Sequence, residues 1–219
     1  MKAVIIDYDG VVVDSTHAYE MRSKRAAALF REQWSREFMD IWKNAFLHLT
    51  EGKMTLGEYY SKLAQVCEKQ VTGAEDNEYM KGERLRYKEM GMHISEIKRA
   101  FPQKVKFAVI ANYVGRWVEH LLDQDNLTRQ FAAIVVSDKA KSRMPDEESY
   151  QAILGKLGMR ARDCVFISTH PSHLEGAKAA GMTALYFGEL DAAAERFPAI
   201  TTILDVQKYL RGPGKANTC

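Results

Sequence analysis

Apolar positions along the chain fall into distinct regimes. At the start, Ala3-Val4-Ile5-Ile6 forms a run with no polar gap, closed by Asp7-Tyr8-Asp9 and then Gly10. Such a run fits a strand buried on both faces, and its end predicts a tight turn at the edge of a parallel sheet. From about Thr16 to Met90 the spacing changes to three and four, through Tyr19, Phe30, Phe38, Ile41 and Leu47, and no stretch alternates as a strand. Trp34, Phe38, Trp42 and Phe46 make a four-residue stripe, which predicts the core of a helix bundle. Glu51-Gly52-Lys53-Met54 breaks the pattern. Thr55, with Glu58 three residues on, then predicts a capping box opening a helix through Tyr59, Leu63 and Val66. Another break near Thr72-Gly73 precedes a helix expected from Glu75 to about Met90.

After His93 the rhythm becomes helix, strand, helix, strand. Helices are expected at Ile94 to Ala100, Val114 to Leu122, Pro145 to Leu157 and Leu174 to Ala180, with Phe101-Pro102 as a turn. Strands are expected at Val105 to Ile110, Ala132 to Val136, Cys164 to Ile167 and Thr183 to Phe187. Gly158 and Gly181 fall where helices should stop. This alternation implies an α/β fold, a doubly wound parallel sheet with right-handed crossovers. Val206 to Leu210 reads as a last short helix, and Gly212 to Cys219 has little to bury and should be mobile. The expected division is a core of residues 1–15 and 91–211, a helical cap of 16–90 and a tail of 212–219.

Composition narrows the partners more than it changes the fold. The 219 residues carry a formal net charge of +2, with no basic run interleaved with aromatics, so nucleic acid is not an expected partner. Arg22, Lys24 and Arg25 read as the solvated face of a helix. Cys67, Cys164 and Cys219 are odd in number and lack metal-ligand rhythm, which points to reduced thiols in a cytoplasmic protein. The apolar start is short and interrupted by Asp7, so neither a signal peptide nor a membrane span is expected.

Candidate chemistry starts at Asp7 and Asp9. The end of a strand in an open α/β sheet is where such folds hold ligands. A turn there can swing both carboxylates toward one crevice, where Asp7 would attack phosphorus, Asp9 would exchange a proton with the leaving group, and Gly10 would let the backbone turn. A strand followed by an ordinary Asp-Gly turn fits the same residues, and on spacing alone both readings stand.

Longer stretches narrow that choice. Ile6-Asp7-Tyr8-Asp9-Gly10-Val11-Val12-Val13-Asp14-Ser15 resembles the first motif of the haloacid dehalogenase superfamily, and the likeness continues through Phe131 to Ser137, Pro145 to Tyr150 and Glu175 to Met182. The pattern is similar to its phosphoglycolate phosphatase and beta-phosphoglucomutase-like branch. That resemblance implies a Rossmann-like three-layer core, a small helical cap inserted after the first strand, a phospho-aspartate intermediate and magnesium held near Asp7 and Asp9. It also exposes departures. Ala111, followed by Asn112, stands where a phosphate-binding Ser or Thr is expected, Met144 where a Lys is expected, and Ser168-Thr169-His170 where one or two metal-holding Asp residues are expected.

Each departure has a physical consequence. Losing the hydroxyl at Ala111 removes a bond to a charged oxygen worth about 1.5–3 kcal/mol, partly recoverable from Asn112 or a backbone N–H near Gly10. Losing the lysine removes positive charge where charge stabilisation is usually the largest catalytic term. Ser168 and Thr169 in place of carboxylates should leave magnesium weakly held or absent. Without a cation between them, Asp7 and Asp9 repel, so one of them should be partly protonated or salt-bridged. Lys139, Lys141 and Arg143 lie just upstream of the vacant lysine place, but an extended chain before Pro145 would point Arg143 away from Met144's side. His170 and His173 fall in the loop facing the expected metal site, either as solvated or helix-capping residues or, with Asp7, as ligands for a softer transition metal.

These features predict a scaffold with a degraded phosphoryl-transfer site, weak or no phosphatase activity and a ligand-binding or regulatory role for a phosphorylated molecule or other anion. A functional phosphomonoester hydrolase using Asp7 and a divalent cation is the alternative. A structural protein dimerising through its aromatic cap is a further one. The loop from Gly52 to Thr55 is expected to overhang the crevice.

Overall fold

The computed structural model describes residues 1–14, 18–80, 85–86, 88–101, 104–189 and 194–210. The expected tail, including Cys219, and the Pro102 part of the expected turn lie outside them. Six parallel strands form one sheet in the order β3-β2-β1-β4-β5-β6: β1 (Lys2–Asp7), β2 (Val105–Ala111), β3 (Ala133–Val136), β4 (Cys164–Ser168), β5 (Thr183–Phe187) and β6 (Ala199–Ile200). The first five match the uninterrupted apolar runs. The two-residue β6 was not expected, because its run is too short to signal a strand.

Alternation along the strands divides the core into two layers. Val4 and Ile6 of β1 face one layer, and Ala3 and Ile5 face the other. By the same two-residue period Asp7 belongs on the side of Ala3 and Ile5. That second layer is filled from α8 (Glu147–Leu157) by Tyr150, Ile153 and Leu157 and from α9 (Pro171–Ala179) by Leu174 and Ala177. Because β1 lies between β2 and β4, and the strand order reverses there, the crevice at its C-terminal end is the sheet's switch point.

A helical insertion follows β1. After a wide turn at Tyr8–Val12 come α1 (Ala18–Leu29), α2 (Arg36–Thr50), α3 (Leu56–Val66) and α4 (Glu75–Met80), and then α5 (Met90–Ala100) leads back to the sheet. Ser35 caps α2 by accepting from the Phe38 N–H, and Thr55 and Glu58 form the expected capping box of α3. Phe38, Trp42 and Phe46 are buried as the stripe predicted, with Trp42 donating to the Tyr59 hydroxyl at 2.8 Å. Trp34 departs from it. It precedes the cap, is 36% exposed, and donates to Ser23 Oγ.

The helix expected to run to Met90 is described from Glu75 to Met80 and does not reach that far, since Leu85 and Arg86 are not helical; residues 81–84 and 87 lie outside the described ones, and Met90 instead opens α5 four residues ahead of the expected start. The remaining helices, α6 (Gly115–Gln124), α7 (Ser137–Ala140) and α10 (Gln207–Leu210), complete the chain. Glu147 rather than Pro145 opens α8, and Pro171 rather than Leu174 opens α9. The earlier start of α9 matters for the site, since it brings His173 into a helix. Among the described residues no helix is long and apolar enough to cross a membrane.

Candidate active site

Asp7 ends β1 with its side chain 1% exposed. On the neighbouring strand, Ser168 ends β4 on the same face, and its Oγ donates to Asp7 Oδ2 at 2.6 Å while accepting the His170 N–H at 3.0 Å. His173, in the first turn of α9, places Nδ1 2.7 Å from the same oxygen, and His170 Nδ1 lies 3.7 Å from it. The two imidazoles stack with centroids 4.8 Å apart. Oδ2 is thus held from several directions, whereas the buried Oδ1 makes no hydrogen bond among the described residues.

Burial pushes the Asp7 carboxyl up, but hydrogen bonds and charge from His170 and His173 outweigh it and hold it below the usual carboxylate range. The Asp7 carboxylate, as acceptor toward the His170 ring, raises His170 in turn, against its own burial. Asp7 is therefore ionised at neutral pH. The expected protonation of one carboxyl gives way to the other expected outcome, a salt bridge.

That bridge comes from a residue read wrongly in the sequence. Arg22 on α1 is not on a solvated face: it is 3% exposed, its Nη2 lies 2.7 Å from Asp9 Oδ1, and its guanidinium sits 4.1 Å above the Tyr113 ring. Buried Ala26 and Phe30 follow at four-residue steps, which is the signal that Arg22 shares the inward face. Asp9 itself is extended inside the turn, and Gly10 takes φ +86, a conformation that favours glycine. Gly10 N–H donates to Val13 O at 2.9 Å, and Arg86 donates to Gly10 O.

The Asn112 amide is held by the chain itself. Its Oδ1 accepts from Met144 N–H and its Nδ2 donates to Met144 O, both at 2.8 Å, so the amide clamps the loop before Pro145 and also lies 3.5 Å from His173 Nε2. With Asn112 donating on that side, the His173 proton is assigned to Nδ1, donating to Asp7. Ala111 and Met144 are buried in apolar layers, 111 with the cap-side layer and 144 with α8 and α9. Arg143 turns to Thr50 Oγ1 and Lys141 to Gly52 O, so both serve the loop after α2, and Lys139 is exposed. Thr169 Oγ1 lies 3.2 Å from His170 Nδ1.

The sequence as a whole matches a family. Residues 4–187 fit the model of the haloacid dehalogenase-like hydrolases. The chain belongs to this family. A probable phosphoglycolate phosphatase of Pseudomonas savastanoi is 32% identical over 112 residues, 49% of this chain and 69% of that one. For a phosphoglycolate phosphatase of P. savastanoi pv. phaseolicola the identity is also 32% over 112 residues, and the matched part spans only 41% of its length. A phosphorylated carbohydrates phosphatase of Thermotoga maritima is 23% identical over 190 residues, covering 85% of this chain and 84% of that one.

Solved structures agree on the fold. An L-2-haloacid dehalogenase from Xanthobacter autotrophicus superposes with a TM-score of 0.66 at 17% identity, covering 98% and 100% of the two chains. A putative beta-phosphoglucomutase from T. maritima gives 0.62 at 19%, covering 96% and 98%. A putative family hydrolase from Bacillus subtilis, bound to magnesium, gives 0.64 at 16%, covering 95% and 98%.

Magnesium fits this family but not these donors. It wants near-octahedral oxygen ligands, usually with one or two carboxylates. Here one carboxylate faces two imidazoles and a serine hydroxyl, and the other is paired with Arg22.

Proposed function

We propose that this family hydrolase cleaves phosphoric monoesters of small molecules through Asp7, more slowly than a site with lysine and magnesium would. The observation that carries the reading is the asymmetry of Asp7. One oxygen is fixed by Ser168 and His173, while the other is unpaired on an ionised carboxylate. A nucleophile needs that combination of a locked position and a free lone pair. The phosphatase names of the relatives support the substrate class.

In the proposed reaction Asp7 Oδ1 bonds to phosphorus as the bond to the leaving oxygen breaks, and that oxygen takes a proton from Asp9. Water then attacks the phosphorus of the aspartyl phosphate, with Asp9 taking its proton, and phosphate leaves. Asp9 must first part from Arg22 and take up a proton from solvent, and the proton it then gives the leaving oxygen is returned by the attacking water. His170, which Asp7 shifts toward its charged form, lies 3.7 Å from Asp7 Oδ2 and is the side chain placed to offset phosphoryl charge where the lysine is missing.

The apolar side chains at Ala111 and Met144 and the closed Arg22 pair favour a second reading, an anion-binding scaffold without turnover. An aryl phosphate assay separates them. The first reading expects slow hydrolysis by the wild type that Asp7→Asn abolishes, and equal rates for the two proteins would overturn it.

A further inference from the structure

The disagreement with magnesium points to a different cation. Among the described residues Asp7, His170 and His173 bring one carboxylate oxygen and two imidazole nitrogens within 4.8 Å of one another. From this geometry we propose that they form a binding site for a divalent transition cation of the zinc type.

Ligand chemistry favours it. Imidazole suits zinc-like cations, and two histidines with one carboxylate are a recurrent three-ligand set that leaves a further position open. His170 and His173 are three residues apart on either side of the start of α9, so one turn brings both rings to the end of β1. The unpaired, buried Oδ1 offers Asp7 a second oxygen toward an incoming cation without breaking the Ser168 bond to Oδ2.

Supporting contacts and access are also in place. Ser168 fixes the carboxylate, and the Tyr150 hydroxyl donates to the His173 backbone carbonyl at 2.7 Å, holding the first turn of α9. His170, whose side chain is 39% exposed, leaves an approach from solvent, whereas that of His173 is 12% exposed. A tetrahedral site with bonds near 2.1 Å has ligand atoms about 3.4 Å apart. The nitrogen of His173 is closer than that to Asp7 Oδ2, at 2.7 Å, and that of His170 slightly farther, at 3.7 Å, so binding parts the first pair and closes the second by small shifts. The cation replaces the proton now shared by His173 Nδ1 and Asp7. The ring proton moves to Nε2, which gives up the 3.5 Å contact with the Asn112 Nδ2 donor, so the shift of the His173 ring that widens its distance to Oδ2 must also clear Asn112.

This site stands on geometry and does not depend on which reaction Asp7 performs. Its test is cobalt(II) titration of the full chain without substrate, read by visible d–d absorption, followed by displacement with zinc and with magnesium. The expected result is one equivalent bound with the intense bands of a low-coordinate site, displaced by zinc but not by magnesium. Both His170→Ala and His173→Ala should weaken binding by about tenfold or more. His170→Ala, at the exposed ring, keeps the test valid should His173→Ala fold poorly. Uptake below one equivalent, or both variants binding as the wild type does, would overturn the site. Failure here with aryl phosphate turnover intact would leave the hydrolase reading standing, and the reverse result would leave the metal site standing.

Discussion

Arg22 carries as much of the site as Asp7 does. The buried guanidinium pairs with Asp9 and lies over the Tyr113 ring, so removing either partner strips it of a favourable contact. Removing one member of a buried pair typically costs about 3–5 kcal/mol, and Asp9, 18% exposed, puts this pair at the lower end. Arg22→Ala should therefore lose about 3 kcal/mol in urea unfolding, and Arg22→Lys should recover little because an ammonium cannot stack and fork as a guanidinium does. A loss below about 1 kcal/mol would mean that the pair is solvated. In the sequence, Arg22 was masked by its charged neighbours Lys24 and Arg25, while the four-residue step to Ala26 and Phe30 held the correct answer. His170 and His173 were harder to read. Their meeting with Asp7 depends on the strand parity of β1, the register Ile6 to Ile167, and the start of α9 at Pro171.

At the scale of elements, local capping chemistry was legible and loop contacts between distant segments were not. The Thr55 and Glu58 box follows from residue type and spacing alone. A similar device not singled out in the sequence opens α4, where Glu75 accepts from the Thr72 N–H and hydroxyl and the Gly73 N–H at 2.7–2.8 Å. Burial pushes Glu75 up, and these hydrogen bonds outweigh it and hold it below 4.5. A carboxylate with a lowered folded value adds stability that is present above about pH 4.5 and is lost as pH falls through the folded value. Glu75→Gln should thus narrow the stability gap with the wild type on acidification below pH 4.5, as measured by thermal melts across pH; a gap independent of pH would contradict the assignment.

The loop between α2 and α3 rests on the segment after β3 through Ser137 Oγ to Thr50 O at 2.5 Å, Arg143 to Thr50 Oγ1 and Lys141 to Gly52 O. Gly52 has φ +64, and a Cβ there would strike Asp138 O and the Lys141 side chain. Gly52→Ala should destabilise the fold by about 1–3 kcal/mol and lift this loop, seen as faster proteolysis between α2 and α3. Unchanged melting and cleavage would contradict that seating.

On the scale of the whole molecule, the parallel sheet was legible because five apolar runs alternate with helices, whereas the strand order itself came only from the structure. The family assignment rests on the same sequence-wide order, with residues 4–187 matched. What the order could not reveal is how the altered site balances its charges. Asp7 takes its partners from β4 and α9, and Asp9 from α1, so the expected stranded pair of acids is instead divided between two different sets of neighbours. Surface clefts of about 400 Å³ beside α1 and about 480 Å³ around His93 and Phe187 lie elsewhere and include neither acid.

The most direct test of Asp7 as the attacking group is acid-quenched mass spectrometry of the peptide containing residues 1–14 after mixing the protein with an aryl phosphate. A phosphoryl adduct on Asp7 in the wild type, absent from Asp7→Asn, is the predicted result. Steady hydrolysis that leaves this peptide unmodified at every quench time would contradict it.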